Sequence, residues 1–161
     1  MTRTVAGRPS STVAAHGLQV ALPPRWEARL FLRDALGERG SSVNPVVHLG
    51  NFALPPGRGD FGSGAVEVMQ AGHAFVALLE YAATEAGTAL FAAKGLPRLA
   101  LSDFAPNALQ RRLPGQLGVQ RFFTENGRAF CLYVVLGSAR GAEQLLDEVH
   151  SVLDNVAVSA R

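Results

Sequence analysis

The chain has 161 residues, 48% of them hydrophobic and only 17% charged, against a charged share near 25% in ordinary globular proteins. That balance excludes global disorder and suits one domain with a full core. The net charge of +2 rests on 15 basic residues, all arginine except Lys94, and scattered apart from Arg111-Arg112. Nucleic-acid binders carry a basic stripe interleaved with aromatics, and none is present, so nucleic acid is not an expected partner.

Residues 1–11 read as a flexible tail of Thr, Arg, Gly, Pro and Ser, with one domain over 12–161. No apolar run follows Arg3 and Arg8 before Pro23-Pro24, so neither a signal peptide nor a membrane span is expected, and cytoplasm is the expected location.

Leu18, Val20 and Leu22 alternate with small or polar residues, which predicts a strand stopping at Pro23-Pro24. Trp26, Ala28, Leu30 and Leu32 share one face of a second strand, opposite Glu27, Arg29 and Arg33. Trp26 is expected as a core anchor. A loop is predicted over Gly37 to Asn44, then a third strand over Pro45 to Leu54 that is apolar on both faces.

Pro55 to Gly64 reads as a long Gly/Pro loop. After it, Ala65–Met69 and His73–Tyr81 read as a hairpin around Gln70-Ala71-Gly72. The second run also fits a helix by periodicity, but its flanks favour a strand. Ala82 to Lys94 suits a short helix with Gly95 as its C-cap, in competition with an extended path through Leu90-Phe91. Pro106 to Leu113 suits a helical turn with proline at its first position.

The end of the chain is clearer. Gly118–Glu125 and Arg128–Leu136 flank Asn126-Gly127, the dipeptide that supplies the positive φ values of a type I′ hairpin. Arg128–Leu136 is apolar on both faces and belongs at the centre of a sheet. From Ala139 to Val156 an amphipathic helix is predicted, capped by the Ser138 hydroxyl, with Ala142, Leu145, Leu146, Val149, Val152, Leu153 and Val156 along one stripe. The fold class is therefore α+β: one domain, mainly antiparallel sheet, with the C-terminal helix packed on it.

Motifs that carry chemistry are scarce. The loop Gly57-Arg58-Gly59-Asp60-Phe61-Gly62-Ser63-Gly64 lacks the Lys-Ser/Thr and the helix start that a phosphate-binding loop needs. It reads as a connection whose tip, Phe61 flanked by Arg58 and Asp60, is a candidate exposed anchor for a partner. Arg111 and Arg112 are candidates for an acidic partner contact. His16, His48, His73 and His150 show no metal-ligand spacing, and His48 and His73 fall in apolar strands as core or edge histidines. Cys131 alone allows no intrachain disulfide and no cysteine-rich metal site, and its place in Phe130-Cys131-Leu132-Tyr133 predicts a buried structural thiol. Glu67 and Glu80 sit on neighbouring predicted strands as solvated positions, and are considered as a carboxylate pair for acid–base work. No Gly-x-Ser-x-Gly elbow occurs. No catalytic residue, cofactor or metal is assigned.

Two stretches resemble the PsbP-like α/β/α proteins. One is Leu18-Gln19-Val20-Ala21-Leu22-Pro23-Pro24-Arg25-Trp26, similar to their opening strand and Pro-x-Trp turn, with Arg25 where a glycine is usual. The other is the closing Asn-Gly hairpin, central strand and helix ending Val152-Leu153-Asp154-Asn155-Val156. Together they span about a third of the chain. The resemblance implies a non-enzymatic protein, since members serve as photosystem extrinsic subunits, Ran-binding factors, lipoproteins and effector chaperones without shared catalytic residues. The expected function is a protein-binding adaptor, chaperone or assembly subunit that binds another protein or its own copies. The alternative is a small-molecule-binding domain or enzyme with a pocket between sheet and helix, using His48, His73 or Glu80.

Overall fold

The computed structural model describes residues 11–33 and 44–161. The predicted tail up to residue 10, and the predicted 37–44 loop except Asn44, lie outside the described residues. The first element, β1 (Ser11–Ala15), turns at His16-Gly17 into β2 (Leu18–Leu22). Both turn residues have positive φ, 53° and 76°, the geometry that matches the twist of a two-residue hairpin. β3 (Glu27–Leu32) and β4 (Pro45–Gly50) follow, then β5 (Ala74–Glu80), β6 (Leu117–Glu125) and β7 (Arg128–Leu136). The chain closes with the helix α1 (Ala142–Leu153) and a short β8 (Val156–Val158).

These strands form two sheets. The larger runs β3-β4-β5-β7-β6 and the smaller β1-β2-β8, and every pairing within them is antiparallel. As the apolar pattern predicts, β7 is buried along its whole length between β5 and β6. Its alternate side chains serve two cores. Phe130, Leu132, Val134 and Leu136 join Val47, Leu49, Val76, Leu78 and Phe123 under α1 and β2. Cys131, Tyr133 and Val135 join Val46, Phe75, Ala77 and Leu79 on the opposite face. Each such aliphatic or aromatic side chain contributes roughly 1.5–3 kcal/mol on removal from water.

The two faces are covered by different means. Leu145, Leu146, Val149, Val152 and Leu153 of α1, with Leu18, Val20 and Leu22 of β2, close the first. Loops close the second: Leu54, Phe61, Ala65 and Val66 from one, Leu109 and Leu113 from another. Gly62 marks how tightly the first loop lies down. Its φ is +87°, and a Cβ there would stand 2.4 Å from the Phe75 ring.

Several expectations are corrected. Ala65–Met69 is not a strand: Val66–Val68 is a 3₁₀ turn, and β5 pairs with β4 and β7 instead of forming that hairpin. The run looked like a strand because Ala65 and Val66 are buried, but their backbone bonds are local, with Val66 N–H on Gly62 O at 3.0 Å. The 82–94 helix is replaced by two 3₁₀ turns, Ala83–Glu85 and Ala89–Phe91, separated at Gly87 with φ 75°. The expected turn at Pro106 is present as a 3₁₀ turn over Pro106–Ala108. The third strand stops at Gly50, not Leu54.

At the C-terminus, Ser138 does not cap the helix. Its hydroxyl accepts from the Arg140 N–H at 3.0 Å, while Gly141, in the left-handed region, precedes the first helical residue. Val156 leaves the helical stripe to pair with Val20, because residues 154–155 turn the chain back along β2. Trp26 and Cys131 are buried as predicted. Among the described residues no helix is long and apolar enough to cross a membrane.

Candidate functional site

The 55–64 loop is fastened from below by His48 of β4, a side chain fully removed from solvent. Its Nδ1 accepts from Arg58 Nε–H at 3.0 Å, so Nε2 carries the proton and donates to the Asp60 carbonyl at 2.8 Å. The rings of Phe31 and Phe75 lie edge-on at 4.9 and 5.1 Å. Burial pushes the imidazole pKa down to about 4, with the Arg58 charge adding to the fall and the bond to Asp60 opposing it. Both ring nitrogens are thus engaged in holding the loop. As expected, His48 is a satisfied core histidine.

That clamp orients the three loop residues singled out in the sequence. Arg58 turns inward, onto His48 and the Pro55 carbonyl, with its guanidinium 5.9 Å from the Phe31 ring. Phe61 is half-buried rather than a free tip, its ring 5.6 Å from Tyr133 and at 77° to it. Asp60 is half-buried, and its carboxylate has no hydrogen-bond or ion-pair partner among the described residues.

Arg111 comes to the same place from about fifty residues away. Its guanidinium reaches Glu67 at 2.9 Å and stays 65% exposed. The neighbouring Gln110 N–H donates to the Tyr133 hydroxyl at 2.8 Å, fixing this second loop to the sheet. Burial raises the Tyr133 phenol above its usual range, opposed by that bond. Asp60, Phe61, Ser63, Gln110, Arg111 and Tyr133 thereby line one open cleft of about 250 Å³.

Arg112 faces elsewhere. It lines a cleft of about 540 Å³ with Pro106, Leu113, Gln116 and Leu117. Gln116 is buried there; its amide donates to the Val66 carbonyl at 2.7 Å, and its Oε1 has no hydrogen-bond partner among the described residues.

The residues considered for acid–base chemistry are not brought together. Glu67 lies on the exposed side of its turn, paired with Arg111, whereas Glu80 is buried against Arg128 at 2.5 Å and also meets Arg161. The expectation of solvated strand positions fails for Glu80. Its strand end is enclosed, and a buried carboxylate requires a paired charge. His73 is stacked on Phe52 at 4.9 Å and accepts from the Gln70 N–H at 2.9 Å. His150 contacts the Leu99 carbonyl at 2.9 Å, and the His16 carbonyl accepts from Arg128. Cys131 is fully buried, and desolvation pushes its thiol up to about 11. No group of three or more His, Cys, Asp or Glu residues that could hold a metal ion occurs among the described residues. The interface between α1 and the sheet is packed, with Val149, Val152, Leu132 and Val134 all at 0% exposure.

Sequence reasoning missed Tyr133, Gln110 and Ser63 as cleft residues. Tyr133 carried a weak signal, a hydroxyl in the middle of an otherwise apolar central strand, which must find a polar neighbour when buried. No protein-family model, curated protein or solved structure matches this chain.

Proposed function

We propose that this is a non-enzymatic, cytoplasmic binding protein, an adaptor, chaperone or assembly subunit, that holds another protein at the loop-covered face of its central sheet. One observation carries the reading. Phe61 and Arg111, from loops about fifty residues apart, meet over Tyr133 in an open cleft. Aromatic and arginine side chains grouped in this way are the residue types that dominate protein-binding hot spots. At about 250 Å³ the cleft is also smaller than the ~300–1,000 Å³ usual for small-molecule sites. It is sized for a side chain presented by a partner. The resemblance of residues 18–26 and of the closing unit to PsbP-like proteins points the same way.

Affinity capture of the native protein and of a Phe61→Ala variant, with mass spectrometry, tests this. A stoichiometric partner retained by wild type and by Arg112→Ala but lost by Phe61→Ala supports it. A partner held equally by Phe61→Ala, or none at all, overturns it.

A second reading has its own observation. The cleft at Arg112 falls within the small-molecule size range and contains the buried Gln116, whose acceptor is unpaired among the described residues. A metabolite recovered with wild type and lost in Gln116→Leu would favour that reading over the first.

A further inference from the structure

Charges in the Asp60–Arg111 cleft are not balanced. Arg111 is already compensated, since Glu67 sits 2.9 Å from its guanidinium. Asp60 is not: it lines the cleft, it is half-buried, and no cation or donor among the described residues meets its carboxylate. The nearest arginine in sequence, Arg58, is committed to His48 and Pro55. A carboxylate without a partner in a cleft wall is open to a charge-assisted hydrogen bond from an incoming cation. The half-buried Phe61 ring beside it offers an aromatic wall of the kind that attracts cations.

Resting on the adaptor reading above, we infer that the cleft receives a basic side chain, an arginine or lysine of the partner protein, with Asp60 as its counter-charge and Phe61 as its aromatic wall. The volume of about 250 Å³ accommodates one such side chain. Charge complementarity selects it: with Arg111 already paired to Glu67, Asp60 is the uncompensated charge of the lining. Ser63 and Gln110 stand at its rim as polar neighbours.

The test is a titration of the ¹⁵N-labelled full chain with N-acetyl-arginine amide, followed by amide chemical shifts. Saturable shifts confined to residues 60–63 and 110–111 are expected, and N-acetyl-citrulline amide, the neutral counterpart, should produce none. Asp60→Asn keeps the backbone carbonyl that His48 holds, so it should fold with an unchanged Tm and bind about fivefold more weakly. Arg111→Gln removes the positive charge from the cleft wall and should bind this small cationic probe tighter, by about twofold to threefold, whatever Arg111 contributes to a partner protein. No saturable shifts, equal shifts with citrulline, or weaker binding by Arg111→Gln would overturn the inference. A failed titration beside a Phe61-dependent captured partner removes the cationic chemistry alone. A successful titration without such a partner removes the adaptor reading and leaves the cleft's preference standing.

Discussion

Glu80 and Arg128 meet at 2.5 Å with only 1% and 3% of their side chains exposed. The remaining guanidinium nitrogens donate to the Ser159 carbonyl at 3.1 Å and the His16 carbonyl at 2.9 Å. One arginine therefore ties three segments: the end of β5, the β1–β2 turn and the chain just past β8. Both sheets meet at this point. Removing one partner of an isolated buried pair costs about 3–5 kcal/mol, but Glu80 keeps Arg161 as a second partner. Arg128→Met is expected to lower urea stability by less than that, about 2–3 kcal/mol, and Arg128→Met combined with Arg161→Ala by more. It should also free the Ser159 amide, which donates to the Gly17 carbonyl at 2.9 Å, to exchange with solvent faster than amides of β7.

His48 sets an acid limit on stability. Its folded pKa of about 4 lies below the ordinary imidazole value of 6.5, so the unfolded chain binds the extra proton between those values. The contribution is complete above pH 6.5 and is lost as pH falls toward 4, amounting to about 3 kcal/mol over the window. His48→Gln should be less stable than wild type at pH 7, and the difference should shrink steadily on titration to pH 4. A constant difference across that range would show that the imidazole does not titrate on unfolding.

Gly62 is the position at which the loop cannot accept a side chain. Alanine there would need a left-handed backbone and would place its Cβ 2.4 Å from the Phe75 ring. Gly62→Ala is expected to cost about 2–3 kcal/mol, combining backbone strain with overpacking. Gly57, where an added Cβ meets nothing within 4 Å, should tolerate alanine with little change in Tm.

Arg25 is strained without evident need. Its φ is 72°, and its ion pair with Glu148, at 3.2 Å, leaves the arginine side chain 82% exposed. A left-handed non-glycine residue costs about 1–2 kcal/mol, while an exposed pair is worth about 0–1. Arg25→Gly should therefore raise Tm by a few degrees, and a fall would mean that the pair outweighs the strain.

The legible parts of the sequence were those with a sustained period. Leu18–Leu22, the strand after Trp26, β6, β7 and the α1 stripe all show their apolar spacing over five or more residues. Where the chain only covers the sheet, the pattern misleads. Ala65-Val66 is as apolar as a strand because it is buried in the same cluster as Phe75, yet its hydrogen bonds are local. Three-residue β8 is too short to display a period beside the longer helix. The site was legible as residue types and not as an arrangement. Phe61, Asp60 and Arg111 could be named, but only the fold places them over Tyr133 and sends Arg112 to a different cleft. The Glu80–Arg128 pair spans 48 positions and has no local signature beyond a charge at the end of each of two strands that are apolar on both faces.

The most direct measurement is site-specific photo-crosslinking in cells. A benzophenone side chain would replace Ser63, exposed at the rim of the Asp60–Phe61–Arg111 cleft, and in a control Ser151, exposed on α1. One reproducible crosslinked protein is expected from position 63, absent from position 151 and abolished by Asp60→Asn. No crosslink at 63, or the same adducts from both positions, would contradict partner binding at the cleft.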